Sequence, residues 1–349
     1  MIIPADADAQ PVAIVGDLQA RAFTQQSAIK DVRSHRLWVE TDRFPLDDSK
    51  PRRLPRPTQY DLAASLNLLG DALRELGLAE TRIGLELGFV PVADFELFQA
   101  MPFDWQDGTR IVERLRSVKS PEEIARLRRA ASYAAAGFSG LIARLGTGQT
   151  AAQMADIWRE EAAAAATANA EKLPLSSWSF IAVGGDGFAP GGPARAGDLV
   201  KIDVGCVLGG YSSDGARTVA LGKPSAEAQR IYDALHGAFE AGLPHFRPGT
   251  ALREIHEKVA STMWNKGFET YGRGHFGHGV GSSIWSEEWP FIGADSDAVL
   301  EPNMVMAFET PWYIDGLGGF IIEDQLLITE TGHEVMSPLP RRLERITVS

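Results

Sequence analysis

A chain of 349 residues is long enough to bury a large core and is expected to split into two domains. Its hydrophobic fraction of 44% and charged fraction of 23% are those of an ordinary globular protein, and a formal net charge of -12 argues against a nucleic-acid partner or an anionic membrane surface. The single cysteine, Cys206, excludes an intrachain disulfide and fits a reducing cytoplasm. The opening Met1-Ile2-Ile3-Pro4-Ala5-Asp6 lacks the basic-then-apolar order of a signal peptide, and no uncharged apolar stretch reaches membrane-spanning length.

Residues 1–112 read as a mixed α/β domain. Pro11 to Val15, Leu37 to Glu40 and Arg82 to Leu87 resemble short strands. Asp61 to Leu76 carries Leu62, Leu66, Leu69, Leu73 and Leu76 at helical spacing, with Gly77 as a stop. The proline-rich stretch Pro45 to Pro57 reads as an exposed loop, and nothing chemical stands out in this part.

Residues 113–349 form the second domain. Ser120-Pro121-Glu122-Glu123 combines an N-cap serine, a proline at the first helical position and a glutamate at the third, so a helix is predicted from there to Leu145, ended by Gly146. A second helix, Ala151 to Ala170, is alanine-rich enough to pack closely on a neighbour. Ser179 to Val183 reads as a strand, Gly184 to Gly197 as a Gly/Pro loop, and Ser225 to Gly242 and Ala251 to Lys266 as helices. From about residue 270 strands and turns alternate.

The informative segment lies between the strand-like runs around Gly209-Gly210. A hairpin there brings Asp203 and Asp214, eleven residues apart, towards each other. Two aspartates held that close repel unless a cation sits between them. Downstream follow His278, framed by glycines in Gly277-His278-Gly279-Val280-Gly281, and two glutamates in apolar strands, Glu309 and Glu323. One histidine and four carboxylates suit two divalent ions such as Mn²⁺, Co²⁺ or Zn²⁺.

In order and spacing these residues resemble the pita-bread metallopeptidases: methionyl aminopeptidase, Xaa-Pro aminopeptidase and prolidase, with creatinase sharing the fold. Asp203, Asp214, Tyr211, Arg217 and Thr218 match one motif, Gly277 to Gly281 a second, Glu309-Thr310-Pro311 a third and Ile322-Glu323-Asp324 a fourth. The likeness covers residues 112–340 well and the N-terminal part in outline, where the chain starts inside the family's usual domain, trimmed or completed by a partner chain. The resemblance implies an α+β fold, with helices over a curved antiparallel sheet, preceded by a small creatinase-like α/β domain. It also implies metal ligands Asp203, Asp214, His278, Glu309 and Glu323, a metal-bridging hydroxide as nucleophile, and Glu309 as general base. Tyr211 and Arg217 would orient the bridging carboxylates. The expected activity is amide hydrolysis of a small Xaa-Pro peptide by a homodimer, with Mn²⁺ as the first choice of metal.

Two departures bear on chemistry. The family's histidine seven residues after the metal-binding one is Trp285 here, and the loop Phe188 to Pro193 lacks the family's upstream histidine. Losing one such electrostatic or proton-transfer partner costs about a hundred- to a thousand-fold in rate. His275 is either a replacement catalytic imidazole or a structural histidine. Trp285, Trp289 and Trp312 either line the site mouth or serve as core aromatics. A non-peptide C–N hydrolase of creatinase or ectoine-hydrolase type, and an inert binding protein on the same fold, are the alternatives.

Overall fold

The computed structural model of the protein describes residues 1–37, 61–283, 287–336 and 339–347. They fall into two compact units, Met1–Val112 and Glu113–Ser349.

In the first unit Val12–Gly16 pairs in parallel with Asp31–His35, and Arg82–Leu85 in parallel with Asp104–Asp107. The helices are Asp17–Gln26, Leu62–Glu75 and Val92–Gln99. Asp61 caps the middle one by accepting from the Ala64 amide at 2.9 Å, and Gly77 turns the chain away at φ 71°. Leucines at helical spacing then bury Leu66 and Leu73, the latter in a small core with Ile2, Val12 and Ala72. The second strand runs over Asp31–His35. Residues 38–40 and the proline-rich loop 45–57 lie outside the described residues.

The second unit has the α+β pita-bread architecture, built on one large sheet. Its main path runs Glu288–Gly293, His275–Gly279, Val305–Glu309, Ile322–Ile328, Gly215–Leu221, Leu199–Leu208 and Leu175–Val183. Every neighbouring pair on that path is antiparallel. The short strand Glu344–Ile346 adds in parallel beside Gly215–Leu221.

The helix Pro121–Arg144 opens on a complete capping box: the Glu123 amide donates to Ser120 Oγ at 3.4 Å and the Ser120 amide to the Glu123 carboxylate at 2.7 Å. It crosses Ala151–Ala168 at close range, as the alanine content anticipates. A β-carbon on Gly137 would lie 2.7 Å from the Trp158 carbonyl, and the Trp158 indole donates to the Ala134 carbonyl at 3.1 Å. Under this helix pair lie Val200, Ile202, Val204, Cys206 and Leu208, alternate residues of one strand. The other helix pair, Ala226–Gly242 and Leu252–Asn265, covers Met306, Phe308, Ile322 and Leu326, with Phe239 stacked on Phe308 at 4.4 Å. Register places both pairs on one face of the sheet, since Ile202 opposes Arg217 and Arg217 opposes Ile322. Among the described residues no helix is long and apolar enough to cross a membrane.

Valine at Gly137 is expected to cost roughly 3 kcal/mol, because the helix crossing has no space for it. A urea midpoint that falls while its slope is unchanged would show this; an unmoved midpoint would mean that the crossing repacks.

Candidate metal centre

With the apolar residues turned towards the helices, the alternate positions face the other way. That second face gathers all five expected ligands. Asp203 opposes Ala216 on one side, and Glu323 opposes Ala216 on the other. Glu323 also opposes Glu309, and Ala307, two residues earlier, opposes His278. Asp214 stands just before Gly215–Leu221, where its amide donates to Gln325 Oε1 at 3.0 Å. Small residues, Ala216 and Ala307, stand between the larger ligands in the strand register.

Of these groups Asp214, His278 and Glu323 are all buried, and each offers a ligand atom within 4.8 Å of the others. His278 Nδ1 lies 3.0 Å from the Gly279 carbonyl, which can only accept, so Nδ1 carries the proton. Its Nε2 lone pair is thereby turned to the Asp214 carboxylate, 3.7 Å away. Gly277 makes this possible: it adopts φ 131°, and a β-carbon there would lie 2.0 Å from the Ala307 carbonyl.

The electrostatics follow from burial. It pushes the Asp214 and Glu323 carboxyls well above the usual carboxylate range, with Asp203 adding to the first and Asp214 to the second. Burial likewise pushes Glu309 up to about 8, against a pull downwards from Arg273. Asp203 is raised by burial and drawn back by Lys201, whose Nζ lies 3.2 Å away. Burial lowers both His278 and His275, which favours the neutral, metal-binding form of the imidazole. Four carboxylates that resist ionisation without a cation, beside a neutral imidazole, fit one or more hard divalent ions.

His275 is brought to the site. Its Nδ1 accepts from the Gly277 amide at 3.2 Å and lies 3.6 Å from Glu309 Oε1. Trp285 lies outside the described residues. Trp312 packs on Phe268 and Tyr271 at the edge of the core. Neither expected orienting residue touches a ligand carboxylate. The Tyr211 hydroxyl donates to Glu123 at 2.9 Å, because its strand runs beside the start of that helix. Arg217 points to the helix-covered face, where it pairs with Asp324 at 2.5 Å and holds Glu323 through its main-chain carbonyl.

Sequence reasoning passed over the aromatic rim. Phe180 opposes Asp203, Phe291 opposes His278, and Phe188 packs on Tyr313. These rings are 60%, 38% and 70% exposed, respectively. Their alternation was readable, but exposure on the polar face depends on the sheet register.

The comparisons with known proteins make this chain a hydrolase of the metallopeptidase type. The chain belongs to metallopeptidase family M24, whose profile matches residues 125–330. It is 31% identical over 285 residues to an uncharacterized peptidase of Bacillus subtilis, covering 78% of this chain and 77% of that one. A Xaa-Pro dipeptidase of Pyrococcus furiosus is 30% identical over 242 residues, or 67% of this chain and 66% of the relative. Among solved structures, a Xaa-Pro dipeptidase from Bacillus anthracis superposes with a TM-score of 0.77 at 23% identity, covering 99% of this chain and 88% of that one. An X-Pro aminopeptidase from Thermotoga maritima gives 0.75 at 20% identity, over 98% and 88%.

Raised carboxyls bind protons in the folded state that the unfolded chain has already released. The ion-free protein therefore loses stability as pH rises, for Glu309 across the window from about 4.5 to about 8. A divalent ion replaces those protons, so the gain in Tm on adding Mn²⁺ to chelator-treated protein is expected to grow across the same window. A gain that shrinks as pH rises would mean that these carboxylates do not receive the ion.

Proposed function

We propose that the protein is a divalent-metal-dependent peptidase that cleaves small peptides at an Xaa-Pro bond. The observation that carries this reading is the gathering of Asp203, Asp214, His278, Glu309 and Glu323 on one sheet face in a family M24 chain. The substrate class comes from the Xaa-Pro dipeptidase relative.

Asp214, His278 and Glu323 would hold the ion, with Asp203 and Glu309 flanking it. A bound ion supplies Lewis acidity that polarises the scissile carbonyl. Glu309 takes a proton from the attacking water on its carboxylate and passes it to the leaving nitrogen. His275 stands where the two absent family histidines leave the site short of donors. The Gly277 amide occupies its Nδ1, so the proton of the neutral ring sits on Nε2 and is available to oxygen that gains charge. Phe180, Phe188 and Phe291 form an apolar rim that suits the ring of proline and a hydrophobic neighbour.

Hydrolysis of a panel of Xaa-Pro dipeptides and tripeptides with Mn²⁺ is the test. His278→Ala is expected to abolish turnover, and His275→Ala to lower kcat by about a hundred- to a thousand-fold with a smaller change in KM. Absence of turnover in metal-loaded protein would sink the peptidase reading and turn attention to non-peptide C–N bonds of the creatine type. An unchanged kcat in His275→Ala would return that residue to a structural role.

A further inference from the structure

Lys201 stands beside the expected metal ligands. It lies two residues before Asp203 in the same strand, so the two side chains share a face. The lysine is 1% exposed, and its Nζ has one ion-pair partner among the described residues, Asp203 Oδ2 at 3.2 Å. Its ammonium is walled in: it lies 5.5 Å from the centre of the Phe188 ring and 5.4 Å from that of Tyr313. Gly319 packs against the root of the side chain, since a β-carbon there would lie 3.2 Å from Lys201 Cβ. Buried lysine is tolerated only against a compensating charge, and here that charge is an expected metal ligand.

The protein's own cations are distributed unevenly across the site. Lys201 acts on Asp203, Glu309 and Glu323, and Arg273, 5.5 Å from the same Tyr313 ring, acts on Glu309. Arg273 Nε is buried and has no hydrogen-bond partner. The direct contact is with Asp203, 3.2 Å from Lys201 Nζ, whereas Asp214, His278 and Glu323 bring three ligand atoms within 4.8 Å of one another. A divalent ion placed against Asp203 would meet the ammonium head-on.

We infer that this centre takes one divalent ion, at Asp214, His278 and Glu323, and that the Lys201 ammonium occupies the position of the second ion beside Asp203. Lys201 is then a positioning residue: it fixes Asp203 and restricts the site to one metal.

The inference rests on the metal-dependent reading above, and counting ions separates the two. Wild-type protein, Lys201→Met, Lys201→Arg and the double variant Lys201→Met with Asp203→Asn would be loaded with excess Mn²⁺. Bound metal would be measured per chain after gel filtration, with Mn²⁺ electron paramagnetic resonance on the same samples. Thermal melts would confirm that each variant is folded. One ion is expected in the wild type, with the spectrum of an isolated Mn²⁺. Lys201→Met is expected to take two, with the spectrum of a spin-coupled pair. Lys201→Arg, which keeps the charge, should hold one, and the double variant should return to one. Two ions in the wild type would overturn the role of Lys201 and leave the metallopeptidase reading standing. One ion in folded Lys201→Met would overturn the inference as well, because the ammonium would not be what excludes the second. No ion in any variant would overturn both.

Discussion

Repulsion among buried carboxylates is the constraint on which the second unit turns. Asp203, Asp214, Glu309 and Glu323 come from different places in the chain and converge on one sheet face. Burial removes the water that would otherwise spread their charge. Convergence at this cost in stability needs the opposite face to supply the compensating energy. Two helix pairs and the stacked Phe239, Phe246 and Phe308 do so. Register couples the two faces: slipping any of these strands by one residue would bury its carboxylate under the helices and turn its apolar residues to the ligands. The core that stabilises the unit is therefore also what aims the site.

Arg217 shows how closely the faces are coupled. It lies in the same strand as Ala216, which separates Asp203 from Glu323, but its side chain goes to the other side. There it meets buried Asp324, itself held by Arg341 at 2.7 Å, and accepts no part in ligand contact. Breaking a buried pair of this kind leaves an uncompensated charge, and losses of about 3–5 kcal/mol are typical. Its position beside Glu323 means that such a loss would be felt at the metal face without any contact to a metal. Sequence proximity to the expected ligands suggested that Arg217 orients their carboxylates, but the alternation of a strand sends it to the other face.

The elements legible from sequence were those with a local cause. Capping at Ser120, leucines at helical spacing after Asp61, and the strand alternation through Val200 to Leu208 each reflect a preference that acts within a few residues. The convergence of Asp203, Asp214, His278, Glu309 and Glu323 on one face follows from the same strand alternation, once the register is known. What stayed hidden depends on pairing across distance. The helix Asp17–Gln26 buries none of its residues, and the strand Asp31–His35 is polar enough to carry no alternation signal. Tyr211 looked like a partner of the nearby aspartates, and only the packing of Pro121–Arg144 shows it to be a partner of Glu123. Lys201 was in view inside the most informative segment of the chain. Its meaning depends on Phe188, Tyr313 and Gly319, which come from elsewhere.

The absent family histidines and the present lysine act on the same balance. A peptidase site needs electron withdrawal from the carbonyl, a base for the water and a donor for the oxygen that becomes charged. Removing two imidazoles takes away donors, and placing an ammonium beside Asp203 puts a fixed positive charge next to the remaining ligands. A lysine cannot change coordination during turnover as an ion can, but it holds its carboxylate in one place and does not dissociate into solution. His275, with its proton directed to Nε2 by the Gly277 amide, then becomes the donor best placed by geometry. Gly277 thus serves two ends through one conformation: it brings His278 against Ala307 in register, and it sets the tautomer of His275.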